Sequence, residues 1–148
     1  MAAVKESLRK QYAALPVART EEGSQVMLVT SRGTGRWIIP KGQPERKLKP
    51  HELAAKEAYE EAGIVGHVRP RAVGSYRSEK RWDDGTVEPT MVKVFLMEVS
   101  TELDDWPEKD QRQRRWFTPA QAAMKVTDGG LVEILLGLAA PDDDPAAG

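Results

Sequence analysis

The chain contains no cysteine. That absence excludes disulfide staples, thiolate nucleophiles and cysteine-ligated zinc. No apolar stretch approaches the roughly 20 residues of a membrane helix. The first ten residues lack the apolar segment of a signal peptide. Excess charge is also missing: the net charge is -1, so no overall field favours nucleic acid or a membrane. Aromatics make up only 6% of the chain, and nothing interleaves them with basic residues as a nucleic-acid surface would. What is there is ordinary for a globular protein, with 40% hydrophobic and 30% charged residues. A length of 148 residues fits one domain able to fold without staples. A cytoplasmic protein is expected.

The chain divides into a lead-in over residues 1–9, a single domain over residues 10–140 and a flexible acidic tail over residues 141–148. Gln11–Arg19 reads as a strand, with Pro16 suited to an edge or a bulge. Gln25–Thr30 reads as a buried strand and Arg36–Ile39 as a short one stopped by Pro40. Lys41–Lys49 is a basic loop. Pro50 suits the first turn of a helix running to Ala62, with Gly63 as its C-terminal cap. Val68–Tyr76 and Val87–Val99 are further strands, joined by a polar connection over Ser78–Gly85. Arg114–Phe117 is a strand, Thr118-Pro119 starts a short helix, and Asp128 precedes a last helix over Leu131–Leu138. Strands on both sides of one central helix, followed by terminal helices, predict an α/β sandwich rather than repeated βαβ units.

The central helix carries the chemistry. At 100° per residue, Ala54, Ala55, Ala58, Tyr59 and Ala62 share one arc, small enough to sit close on a sheet. Glu57, Glu60 and Glu61 share an adjacent arc. Like charges three and four residues apart destabilise a helix unless something positive joins them. A hard divalent cation suits such oxygens and leaves sites open for water and phosphate. By itself an acidic run usually only solvates a face. Here it is preceded by Pro40-Lys41-Gly42 and ends in Glu60-Glu61-Ala62-Gly63-Ile64.

In that setting the sequence resembles the Nudix hydrolase family. The family box runs Gly, five residues, Glu, seven residues, Arg-Glu, an apolar residue, any residue, Glu-Glu, any residue, Gly, an apolar residue. Gly42, Glu57, Ala58, Glu60, Glu61, Gly63 and Ile64 all fall at its spacing. Two positions depart. Leu48 stands at the first Glu and cannot ligate or pair; Lys56 stands at the Arg and keeps the charge without the planar fork. Val26–Arg32, Arg36–Pro40, Leu103–Trp106 and Arg112–Phe117 are similar to the diphosphoinositol polyphosphate phosphohydrolase subgroup, which also cleaves dinucleoside polyphosphates.

The resemblance implies an α/β (α+β) fold, an α/β/α sandwich with a mixed central sheet and one catalytic loop–helix. It implies Mg²⁺, with Mn²⁺ as an alternative, held by Glu57 and Glu61 with Glu60 in support. Glu61 is favoured as the base for the attacking water, and Glu57 is the second catalytic carboxylate. Arg32, Arg36, Lys41, Gly42, Arg112 and Lys10 are the expected substrate contacts, with Gly42, Lys56 and Gly63 shaping the box. The expected activity is hydrolysis of a phosphoanhydride in a highly phosphorylated small molecule, either a diphosphoinositol polyphosphate or a dinucleoside polyphosphate. Trp82 or Tyr76 would be the base clamp of the latter. Two other readings remain: a non-catalytic module binding a phosphorylated ligand or protein, and a pyrophosphohydrolase acting on RNA 5′ ends.

Overall fold

A computed structural model describes residues 8–139. The expected tail and most of the lead-in lie outside the described residues. The elements are β1 (Arg9–Thr20), β2 (Gly23–Thr30), β3 (Trp37–Ile38), β4 (Lys41–Gly42), α1 (Pro50–Ala62), β5 (Ile64–Val68), β6 (Gly74–Arg81), β7 (Val87–Glu102), β8 (Arg114–Phe117), α2 (Pro119–Lys125) and α3 (Gly129–Ala139). They form one mixed sheet with the spine β3-β2-β1-β7-β5, to which β4, β6 and β8 add on β1, β7 and β2. β1 and β7 run parallel, while every other pair is antiparallel.

The inner strands are continuous apolar runs because both of their faces are covered. Side chains alternate across the sheet. Ala13, Leu15, Val26, Leu28, Val92 and Val94 therefore pack against Ala122, Leu131 and Leu135 of α2 and α3. Their neighbours Ala14, Met27, Val29, Phe95 and Met97 pack against Ala54, Ala58 and Ala62 of α1. This is the expected α/β/α sandwich. Each fully covered Leu or Met contributes about 1.5–3 kcal/mol relative to an exposed one.

Several expectations need correcting. Arg9 is not lead-in: it pairs with Thr90 at the start of β1, one residue before Lys10 pairs with Met91. β1 is not an edge strand but the centre of the sheet. Pro16 is tolerated where β1 changes partner. Tyr12 and Ala13 pair with β4, pairing with β2 begins at Val17, and the Ala14 N–H donates to Pro40 O at 3.0 Å. N–H directions alternate along a strand, so the donor that proline lacks falls in the gap. Val68–Tyr76 is not one strand: β5 ends at Val68, β6 begins at Gly74, and β6 continues to Arg81 through much of the expected polar connection.

α1 has the expected bounds. The Glu52 carboxylate accepts from the Lys49 N–H at 2.8 Å, filling one open end of the helix. At the other end Gly63 takes φ 63°, a left-handed conformation that closes the helix. The buried face is rotated from the expected alanine arc. Leu53 and Glu61 are buried with Ala54, Ala58 and Ala62, whereas Tyr59 is exposed. One of the acidic residues thus sits on the packed side of the helix.

Candidate active site

Glu61 enters the protein interior because its helix position faces the sheet, and it is only 4% exposed. Its Oε1 accepts from the Lys41 N–H at 3.3 Å, and its Oε2 lies 3.8 Å from Arg112 Nη2. Burial pushes its carboxyl well above the usual range; Arg112 opposes this, and contact with the Glu57 carboxyl adds to it. Burial likewise raises Glu57, with the Glu61 contact acting the other way and Glu60 adding to the rise. The two carboxyls touch across one helical turn, while Glu60 lies nearer the rim beside Lys56 at 3.8 Å.

Gly42 makes this corner. A Cβ there would overlap the Glu57 carboxylate, so glycine lets that carboxylate lie against the β4 backbone. Gly42→Ala is expected to keep the fold and lower turnover about 10²-fold, because small misplacement of reacting groups is that costly. Unchanged steady-state kinetics would contradict the cradle. Among the described residues, no three carboxylates converge on one point. The donor set nevertheless fits a hard divalent cation: a buried carboxylate touching a half-buried one, a third carboxylate nearby and close backbone approach at glycine.

The altered half of the box is rebuilt from elsewhere. Lys56 Nζ lies 2.5 Å from Glu45 Oε1, so a carboxylate three positions before Leu48 takes up the pairing that Leu48 cannot. The hydrogen bond to Glu45, then the nearby Glu60 and Glu57, hold the Lys56 ammonium above its usual range. Lys56→Glu is expected to lower kcat/KM several-fold. The exchanged pair Glu45→Lys with Lys56→Glu is expected to recover part of that loss, and a simple sum of two losses would argue against the brace.

Glu57, Glu60 and Glu61 line a cleft of about 790 Å³. Arg32, Arg36, Lys41, Gly42 and Arg112 line it. Lys10 does not, because β1 turns the neighbouring Gln11 toward the cleft. Gln11 Oε1 accepts from Lys41 Nζ at 2.8 Å. Burial lowers the Lys41 ammonium from its usual range, against the pull of Glu61 and Asp128.

Arg112 is largely occupied by the protein's own acceptors. Its Nε donates to Glu108 Oε1 at 3.0 Å and its Nη1 to Thr30 O at 3.1 Å, so much of the guanidinium fork is spent on the protein. Arg32 remains more exposed, held by Gln111 Oε1 at 3.1 Å and 3.8 Å from Glu108. Arg36 donates from Nε to Thr34 Oγ1 at 3.1 Å.

Sequence reasoning missed Glu108, a carboxylate held beside the last turn of α1, and the lining residues Gln43, Ser78 and Asp128. Glu108 lies in a charged stretch that reads as solvated, so no sequence signal marked it. The two aromatic candidates do not clamp the cleft. Tyr76 is 3% exposed in the core. Trp82 donates its indole N–H to Glu88 at 3.0 Å, with Lys80 and Arg9 at 4.5 and 5.0 Å from its ring centroid. No aromatic side chain lines the cleft among the described residues.

Comparison with known proteins agrees with this geometry. The NUDIX domain model matches residues 9–135. Nudix hydrolase 12, mitochondrial, from Arabidopsis thaliana is 34% identical over 124 residues, covering 75% of this chain and 60% of that protein. Diphosphoinositol polyphosphate phosphohydrolase 2 from Rattus norvegicus is 33% identical over 125 residues, covering 82% and 64%. The chain thus spans under two thirds of these relatives' length. The solved structure of C. elegans Ap4A hydrolase shares the fold at a TM-score of 0.66 and 16% identity, covering 90% of this chain and 96% of that one. The box spacing, the sandwich that presents it and the match along most of its length place this chain in the Nudix family.

Proposed function

We propose that the protein hydrolyses a phosphoanhydride bond in a highly phosphorylated small molecule, using Mg²⁺ or Mn²⁺, and that it works in the cytoplasm. The observation that carries this is a single cleft lined both by the carboxylates Glu57, Glu60 and Glu61 and by the cations Arg32, Arg36, Lys41, Lys80 and Arg81. Carboxylates alone would repel a polyphosphate; cations alone would bind one without activating water. Their presence together in one cleft suits cleavage, in which positioning and charge stabilisation supply most of the catalysis.

Glu57 and Glu61 would hold the cation, with Glu60 in support. When bound, the cation lowers the pKa of its water and neutralises phosphoryl charge. The chain's own contribution is position. Glu61, fixed by the Lys41 N–H, is placed to accept the proton of the attacking water. Gly42 lets the phosphoryl group approach the backbone. Arg32 and Arg36 reach the substrate from the opposite rim, where a guanidinium fork can engage phosphate oxygens.

Between the two substrate classes, the lining supports a polyphosphorylated polyol such as a diphosphoinositol polyphosphate. A dinucleoside polyphosphate needs an aromatic or apolar seat for a base, and the aromatic candidates are buried in the core or capped by cations. The curated relative from rat carries that polyol activity in its name.

The test is phosphate release in Mg²⁺ from inositol pyrophosphates, diadenosine polyphosphates, nucleoside triphosphates and 5′-triphosphate RNA. The highest kcat/KM is expected on an inositol pyrophosphate. No turnover of any substrate would leave the chain as a binding module.

A further inference from the structure

The C-terminal end of α1 is held by a segment distant from the box. The last four carbonyls of a helix have no partner within it, and α1 has no basic residue in its last turn. The stretch from Leu103 to Arg114 supplies what is missing. The Glu108 N–H donates to Glu60 O at 3.0 Å, and the Trp106 indole N–H donates to Glu61 O at 3.3 Å. Arg114 Nη1 donates to Ala62 O at 2.9 Å and Gly63 O at 3.1 Å, and the Leu103 N–H donates to Gly63 O at 2.7 Å. Four consecutive carbonyls therefore end on one loop.

Arg114 also closes the loop on itself. Its Nη2 donates to Leu103 O at 2.8 Å, and its guanidinium stacks on Trp106, 3.9 Å from the ring centroid. The Trp106 ring in turn lies against Gly63, where any Cβ would overlap it. A positive fork at the negative end of a helix is electrostatically favourable as well as hydrogen-bonding. The same loop carries Glu108 and Arg112, whose side chains meet 3.0 Å apart beside Glu61.

We propose that Arg114, stacked on Trp106, is a positioning residue that fixes the axial register of α1, and through it the Glu57–Glu61 pair, against the cleft. The inference rests on the reading of Glu57, Glu60 and Glu61 as the site's cation ligands. Arg114 lies behind the helix end and is absent from the cleft lining, so it acts through α1 and not on substrate. A flat, forked cation is required: lysine could reach one carbonyl but could neither bridge Ala62, Gly63 and Leu103 nor stack on the indole.

The test compares Arg114→Met, Arg114→Lys and Trp106→Phe with the full chain, below the melting temperature of each. It reads kcat and KM on the best substrate, Mn²⁺ affinity by electron paramagnetic resonance, and amide exchange at Ala62 and Gly63. Both arginine variants are expected to lose about 10²-fold in kcat with little change in KM, the cost of a small misplacement. Mn²⁺ affinity should weaken about tenfold, as for groups that orient ligands, and exchange at Ala62 and Gly63 should rise. Trp106→Phe keeps most of the stack and should show a smaller loss. If wild type turns over no substrate but Arg114→Lys still accelerates that exchange, the helix clamp stands and the hydrolase reading falls. If wild type is active and Arg114→Lys matches it in kcat, Mn²⁺ affinity and exchange, the clamp is refuted.

Discussion

Glu61→Gln is expected to lower phosphoanhydride hydrolysis by about 10²–10⁴-fold, the range for loss of a positioned proton acceptor. In the absence of divalent cations, it is also expected to raise the melting temperature. The two effects have one cause. Glu61 is a carboxylate forced into the interior, where burial disfavours its charge. Its folded pKa lies above the unfolded one, so the folded protein loses stability as pH rises from the unfolded value through the folded one. Glutamine removes that penalty, because its oxygen still accepts from the Lys41 N–H while its amide can donate to Glu57. Kinetics and thermal melts of the cation-free protein at neutral pH check this together. A variant that keeps full activity would remove Glu61 from the chemistry.

Arg112→Met is expected to destabilise the protein by about 3–5 kcal/mol, because it leaves the buried Glu61 carboxylate and the half-buried Glu108 beside it uncompensated. For a chain of this size that is a fall in melting temperature of roughly 10–20 °C. The Arg112 side chain is 8% exposed and faces Glu61 and Glu108 side chains that are 5% and 17% exposed. Removing the guanidinium strands both charges. Adding Glu61→Gln removes one of them, so the double variant should recover part of the loss. Strict additivity of the two melting shifts would mean that Arg112 and Glu61 do not interact. An arginine on the open rim would show almost no change in melting, since exposed ion pairs contribute little.

The features legible in the sequence are those with local causes. The bounds of α1 were readable because Pro50 and Gly63 act on their own backbone. α2 was readable because Thr118 caps the helix and Pro119 fits its first turn. The rotation of α1 was not, because alanines define a wide arc and only the sheet decides which flank is pressed down. It chose Leu53 and Glu61 and left Tyr59 outside. Pro16 misled for the same reason: proline excludes a paired donor, but a central strand that switches partners also has an unpaired one. At the site, the carboxylate spacing was visible within one helix. The Glu45–Lys56 brace and the approach of Glu108 depend on where loops return.

The parallel pairing of β1 with β7 has a consequence for how the chain reaches this structure. Arg9 pairs with Thr90 and Val17 with Glu98, so the partners lie about 80 residues apart in sequence. Such contacts make loop closure slow relative to local hairpins. During synthesis β1 can meet β2 early, yet its other edge stays open until β7 has emerged. That edge is the middle of the final sheet, with apolar side chains on both faces, and an uncovered edge of this kind invites pairing with other chains. The strand that anchors β4, and with it Gly42, thus waits most of the chain for its second long partner, and its open edge is a segment through which an incomplete chain would aggregate.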